Sequence, residues 1–250
     1  MRAIVRAIWA AEPVNVRGHG PYSRDVGIQL RRSDGHRGGY PDSEGMSQLG
    51  LFNSTDAIVV DNGKGRVTYT PRLVDARTAA AWFAELRSGV QWRAERRMMY
   101  DREVEVPRLV GHFRLDPPPE ATPAAILEAA QLVTGQLDVP FNAVGLNLYR
   151  DGRDSVAPHN DHLYELRKGF PIALVSLGAT RRMTIRPKAQ PRTPVYIDLE
   201  AGSLLVMDYD TQLHYTHAVP KTSDPVGERI SLAFRVKPHG RHTSGGVYGS

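Results

Sequence analysis

Beyond Pro140 the chain becomes a series of short apolar segments cut by Gly, Pro and Asp: AVGLNLYR, FPIALVSLG, RRMTIRPK, TPVYIDLE, GSLLVMDY, HYTHAVP and RISLAFRVK. These read as seven strands with no helical period between them. Parallel sheets need long, usually helical crossovers, so this spacing predicts an antiparallel sandwich or barrel. The expected fold class is mainly β with flanking helices.

The flanking elements lie upstream. AIVVDNGKGRVTYTP places two β-rich runs around Asn62-Gly63-Lys64-Gly65, a hairpin signature because glycine tolerates positive φ. DARTAAAWFAELRSG reads as a helix capped by Asp75 and closed by Gly89 in the left-handed conformation. A second helix, TPAAILEAAQLVTGQL, starts at Thr122 with Pro123 in its first position, where the missing N–H costs nothing. Residues 1–48 mix Gly, Arg, Pro and Asp without a sustained period, and are expected to form a disordered extension to a domain at 49–238. Residues 239–250 are expected to be a flexible tail.

Composition removes several chemistries. With no cysteine there is no disulfide, zinc-thiolate site, iron–sulfur cluster or thiol nucleophile, so any metal must be held by His, Asp or Glu. No apolar run approaches membrane-spanning length, and the opening MRAIVRAIWAAEPV is a poor secretory signal. The expectation is a cytoplasmic monomer without a membrane partner. A net charge of +5 and a pI near 9.5 lean mildly towards a nucleic-acid partner.

The segment VAPHNDHLYELRKGF sets His159 and Asp161 two residues apart. On a strand, residues i and i+2 share a face, so both side chains can point into a barrel mouth. A hydrogen-bonded turn pair is the plainer reading of these two residues alone. LHYTHAVP offers His214 and His217 as a further ligand, and strand alternation allows one of them inward. Two histidines and a carboxylate on one side of a ferrous ion leave three positions open, as in non-haem iron oxygenases.

RISLAFR adds Arg229 and Arg235 at an even spacing that keeps both on one face. Buried guanidiniums are costly without an anion, and their forked donors suit carboxylates, so a small dicarboxylic acid is the natural occupant. In WRAERRMMYDREVEVPRL, arginines are interleaved with Trp92, Met98, Met99 and Tyr100, which suits a surface that grips nucleotides. A solvated charged face explains the same run, as it does Arg181, Arg182 and Arg186 in TRRMTIRPK.

The ordered pattern NLY…HND…H…RISLAFR resembles the iron(II)- and 2-oxoglutarate-dependent dioxygenases of the AlkB type, from about Leu51 to Lys237. The resemblance implies a double-stranded β-helix (jelly-roll) core and direct reversal of alkylation damage. The implied reaction is oxidative demethylation of N-alkylated bases in DNA or RNA, releasing formaldehyde, succinate and CO2. It implies Fe(II) held by His159, Asp161 and His217, with His217 preferred to His214 because it precedes the apolar segment AVP. It also implies 2-oxoglutarate held by Asn147, Tyr149, Arg229 and Arg235, with Arg229 at the far carboxylate and Arg235 near the chelating end.

The arginine-rich segment is similar to the family's substrate-covering lid, which makes Arg96, Arg97, Met99, Tyr100 and Arg108 candidate substrate contacts. Two positions depart from the family pattern. Ser231 stands where relatives often have Asn, and His162-Leu163-Tyr164 stands where relatives tend to carry an acidic residue near the alkylated base. Two alternatives remain open at this stage: the same site hydroxylating a protein or small molecule, and a non-catalytic nucleic-acid-binding module.

Overall fold

Turn chemistry and strand alternation account for the architecture of the computed structural model, which describes residues 56–99 and 102–238. Strands β1 (Ala57–Asp61) and β2 (Arg66–Thr70) form the expected hairpin, with Gly63 at φ +72° in its turn. Helix α1 spans Ala76–Gly89, and its N-terminus is closed by Asp75, whose carboxylate accepts from Thr78 N at 2.7 Å. The C-terminus departs from expectation. Gly89 stays helical, and the extended Val90 ends the helix by donating to Leu86 O.

The arginine-rich segment is itself a hairpin of two strands, β3 (Arg93–Met99) and β4 (Arg102–Arg114). Its mixed charged and apolar run carries no clean alternation, because a register shift falls between Ala94 and Arg96. Helix α2 (Ala124–Leu137) follows, with Pro123 as its cap residue instead of its first helical residue and a left-handed Asp138 at its end.

The remaining strands are β5 (Ala143–Tyr149), β6 (Val156–His159), β7 (Ile172–Gly178), β8 (Arg181–Pro187), β9 (Val195–Leu199), β10 (Ser203–Met207), β11 (Tyr215–Val219) and β12 (Arg229–Arg235). Among the described residues a single 3-10 turn (Leu163–Glu165) and one α-helix interrupt this series, contrary to the sequence reading. The six-residue α3 (Tyr209–His214) is capped by Asp208, which accepts from Thr211 N at 2.7 Å. A helix this short shows no period, so only its cap marks it.

The strands form an eight-stranded sheet, in the order β1-β2-β10-β7-β12-β5-β4-β3, and a four-stranded sheet, in the order β6-β11-β8-β9. Every pairing is antiparallel, and from β5 onward the chain repeatedly crosses between the sheets, the connectivity of a double-stranded β-helix. Alternation along the central strands separates two cores. On β12, Ile230, Leu232 and Phe234 pack with Trp82 and Leu86 of α1 and Ile126 and Val133 of α2, while Ala233 joins Tyr149, Ile172, Met183 and Ile185 in the core shared with the smaller sheet. The face of β12 that carries its two arginines therefore looks between the sheets.

These residues belong to one compact unit. The extension expected at 1–48, the tail at 239–250 and Tyr100 lie outside the described residues. No described helix is long and apolar enough to cross a membrane.

Gly178 ends β7 at φ +81°, and a Cβ there would press on the Glu228 carbonyl and lie 2.7–2.9 Å from ring carbons of Phe83. Gly178→Ala is expected to cost about 2 kcal/mol or more of unfolding free energy, read as a lower urea midpoint at unchanged slope.

Candidate metal centre and anion pocket

β6 and β11 pair so that His159 lies directly across from His217, which brings the two rings to 4.3 Å between centroids. Asp161 reaches them by another route than the sequence suggested. β6 ends at His159, so Asp161 lies past the strand and no strand alternation aims it. Two contacts hold it: its backbone N–H donates to Gln212 Oε1 on α3 at 2.9 Å, and its Oδ2 accepts from Arg235 Nε at 2.7 Å. Its other oxygen, Oδ1, then faces His159 Nε2 at 3.8 Å and His217 Nε2 at 4.0 Å.

The three ligand atoms lie within 4.8 Å of one another, and no other such cluster occurs among the described residues. His159 Nδ1 sits 2.9 Å from Ala157 O, so a proton there is hydrogen-bonded and the Nε2 lone pair is turned towards Asp161 and His217. His214 is exposed at the end of α3 and is not part of this cluster.

Electrostatics give these groups the protonation states that a divalent cation needs. Burial pushes the pKa of His217 down to about 3, helped by His159 alongside, and burial also lowers that of His159 although 42% of its side chain meets solvent. For Asp161, burial works upward, but the charge of Arg235, the neighbouring His217 and the hydrogen bond from Arg235 outweigh it and hold the carboxyl at about 2. At neutral pH the centre offers two neutral nitrogens and one carboxylate. That donor set fits a ferrous ion with open positions on one side.

The second feature is Arg229, whose side chain is fully buried. Nη2 donates to Ser176 Oγ at 2.9 Å, the guanidinium lies 5.1 Å from the centroid of the Tyr149 ring, and Nε and Nη1 have no hydrogen-bonding partner. A guanidinium cannot shed its charge in a protein, so those two donors call for an anion. Asn147 lies across from Ser231 on the same sheet, and Arg235 closes the row beside Asp161. Gly145 leaves room for it, since a Cβ at that position would lie 3.3 Å from Arg235 Nη1. The metal-binding cluster and the four predicted anion ligands Asn147, Tyr149, Arg229 and Arg235 thus occupy one region between the sheets, next to small Ser231.

The predicted substrate contacts are placed less uniformly. Arg96 is exposed on β3, and the backbones of Arg97 and Met99 pair with Val104 and Arg102. Arg108 is partly buried: its Nε donates to Asn147 Oδ1 at 2.7 Å and its Nη1 to Ser155 O at 3.5 Å, so it braces the anion pocket. Sequence reading missed Ser176 and Gln212 altogether. Gln212 is visible only through the Asp208 cap that starts its helix, and Ser176 lies inside an otherwise apolar strand without a local signal.

The family model described as the 2OG-Fe(II) oxygenase superfamily matches residues 66–235, which contain every ligand named above. The alpha-ketoglutarate-dependent dioxygenase alkB homolog 3 of Bos taurus is 32% identical over 203 residues, covering 72% of this chain and 70% of that protein. The DNA oxidative demethylase ALKBH2 of Homo sapiens is 39% identical over 110 residues, covering 41% of each chain. The solved structure of OsALKBH1 aligns with a TM-score of 0.49 and 13% identity over 68% of this chain and 97% of that one.

His217→Ala is expected to weaken manganese(II) binding by about 100-fold or more in anaerobic calorimetry, whereas His214→Ala stays within about twofold of the parent. The reverse ranking would move the third ligand to His214.

Proposed function

We propose, from the premise that the chain belongs to the 2OG-Fe(II) oxygenase superfamily and to its AlkB-type branch, that it is an oxidative demethylase of N-alkylated bases in DNA or RNA. It uses Fe(II) and 2-oxoglutarate and releases formaldehyde, succinate and CO2, acting as a cytoplasmic monomer with its catalytic unit at 49–238. One observation carries the reading: a two-histidine, one-carboxylate cluster lies on the same inner region as a fully buried arginine with two unmet donors. The naming of the relatives as dioxygenases and DNA oxidative demethylases supports the choice of substrate.

In this reading His159, Asp161 and His217 hold the iron. When bound, the iron supplies dioxygen activation coupled to decarboxylation of the cosubstrate, which hydroxylates the N-methyl carbon and so frees formaldehyde. The protein's residues orient and protect. The Ala157 carbonyl fixes the tautomer of His159, and Arg235 occupies Oδ2 of Asp161 so that one carboxylate oxygen remains for the metal. Arg229 takes the far carboxylate of 2-oxoglutarate with Nε and Nη1, and Tyr149 covers that guanidinium. Asn147 contacts the cosubstrate from β5, held in place by Arg108.

A cationic methylated base pairs poorly, so extruding it costs less than extruding an intact base, and single strands cost less still. Exposed Arg96 on β3, together with Arg97, Met99 and Tyr100, forms the nucleic-acid contact in this proposal. Next to Asp161, His162 and Tyr164 are exposed and stacked at 5.2 Å between ring centroids, with Leu163 between them. They offer a flipped base aromatic contact where relatives tend to offer a negative charge.

The test is a mass-spectrometric assay of single- and double-stranded oligonucleotides carrying 1-methyladenine or 3-methylcytosine, with iron, 2-oxoglutarate and air. Formaldehyde and succinate are expected in equal amounts from methylated strands, and no formaldehyde from unmethylated controls. Succinate without formaldehyde on every strand would favour a protein or small-molecule hydroxylase. No succinate under any condition would leave a binding module.

A further inference from the structure

Arg181 opens β8 with only 2% of its surface exposed. Its Nη1 donates to Asp151 O at 3.0 Å, and its Nη2 donates to Asp154 O at 2.9 Å and Pro220 O at 2.7 Å. The first two carbonyls belong to the loop that leads into β6 and His159. The third follows directly on β11, which carries His217.

No carboxylate is hydrogen-bonded to this guanidinium, although two lie nearby. The Asp154 carboxylate is taken by Arg150 Nε and Nη2 at 2.8 and 2.9 Å, and that of Asp151 by Arg153 Nε and Nη2 at 3.0 and 2.6 Å. Arg181 therefore brings a buried positive charge whose hydrogen bonds end on neutral carbonyls.

That charge lies beside the anion pocket. The guanidinium carbon of Arg181 is 5.6 Å from the centroid of the Tyr149 ring, the same ring that Arg229 approaches at 5.1 Å. Two buried guanidiniums on one phenol ring repel each other, and an anion near the ring offsets that repulsion. The three carbonyl bonds leave Arg181 little freedom to move away, and a guanidinium held over the ring limits the movement of Tyr149.

We propose that Arg181 is a positioning residue for the far carboxylate of 2-oxoglutarate: it fixes the Tyr149 ring and adds a second cation beside Arg229. This rests on the reading that Arg229 holds that carboxylate. Selectivity follows from the placement. Loss of Arg181 weakens a ligand that reaches Arg229 and spares a ligand confined to the chelating end.

The test titrates manganese(II)-loaded full-length protein under nitrogen with 2-oxoglutarate and, separately, with oxalate, which has a chelating end and nothing beyond it. For Arg181→Gln, 2-oxoglutarate is expected to bind about tenfold more weakly, while oxalate changes by less than about twofold. For Arg181→Lys, which keeps the charge but loses the forked guanidinium that the three carbonyls hold over the ring, the selective loss is expected to be about threefold. Should Arg181→Gln not fold, the lysine variant decides by the same comparison. Equal weakening of both ligands would mark a purely structural role, and no weakening of 2-oxoglutarate would remove any role; either result overturns the inference. Wild-type protein that binds oxalate but not 2-oxoglutarate would overturn the Arg229 reading itself, a different failure from wild-type binding that is indifferent to Arg181.

Discussion

The ion pair between Arg235 Nε and Asp161 Oδ2, at 2.7 Å, ties the large sheet to the loop that completes the metal centre. β12 belongs to the large sheet and Asp161 to the loop that leaves the small one. Asp161 lies off the strand, so this contact and the Gln212 amide oxygen do the aiming that strand geometry does for His159 and His217. The pair also keeps the carboxylate ionised against the burial that would otherwise protonate it. One guanidinium thus serves both the placement and the charge of Asp161.

The interior next to this pair is unusually cationic for a protein core. Arg229 and Arg181 lie close to Tyr149, and both have their pKa lowered by burial, which opposes their charge. Folding tolerates this because the remainder of the inner face is well packed by Ile172, Met183, Ile185 and Met207. A core that gives up apolar packing for unmet donors is organised around a ligand, and the shape of those donors suits a carboxylate.

Most of the architecture could be read from the chain because its signals are local. Each of the seven segments after Pro140 contains a strand, since Gly, Pro and Asp mark their ends, and the Asp75 cap lies where its spacing to Thr78 requires. What escaped was set by contacts distant in sequence or by elements too short to show a period. Helix α3 is six residues long, and the route of Asp161 depends on a residue 74 positions away. Arg181 reads as one more surface cation in TRRMTIRPK, yet its even spacing from Met183 and Ile185 turns it inward, while Arg182 beside it is exposed and paired with Asp198. The bond from Arg108 to Asn147 was hidden for the same reason: a charged residue in a charged run carries no mark of the asparagine it will meet.

The position of β3 at the margin of the large sheet has a consequence apart from chemistry. A terminal strand leaves one row of backbone donors and acceptors open to another chain, and natural sheets discourage such association with charge. Exposed Arg93 and Arg96 sit on that rim, the kind of charge that discourages edge-to-edge pairing between copies. Engineering that neutralises them would strip the rim of its charge, so a substitution made here for any other purpose also alters colloidal behaviour.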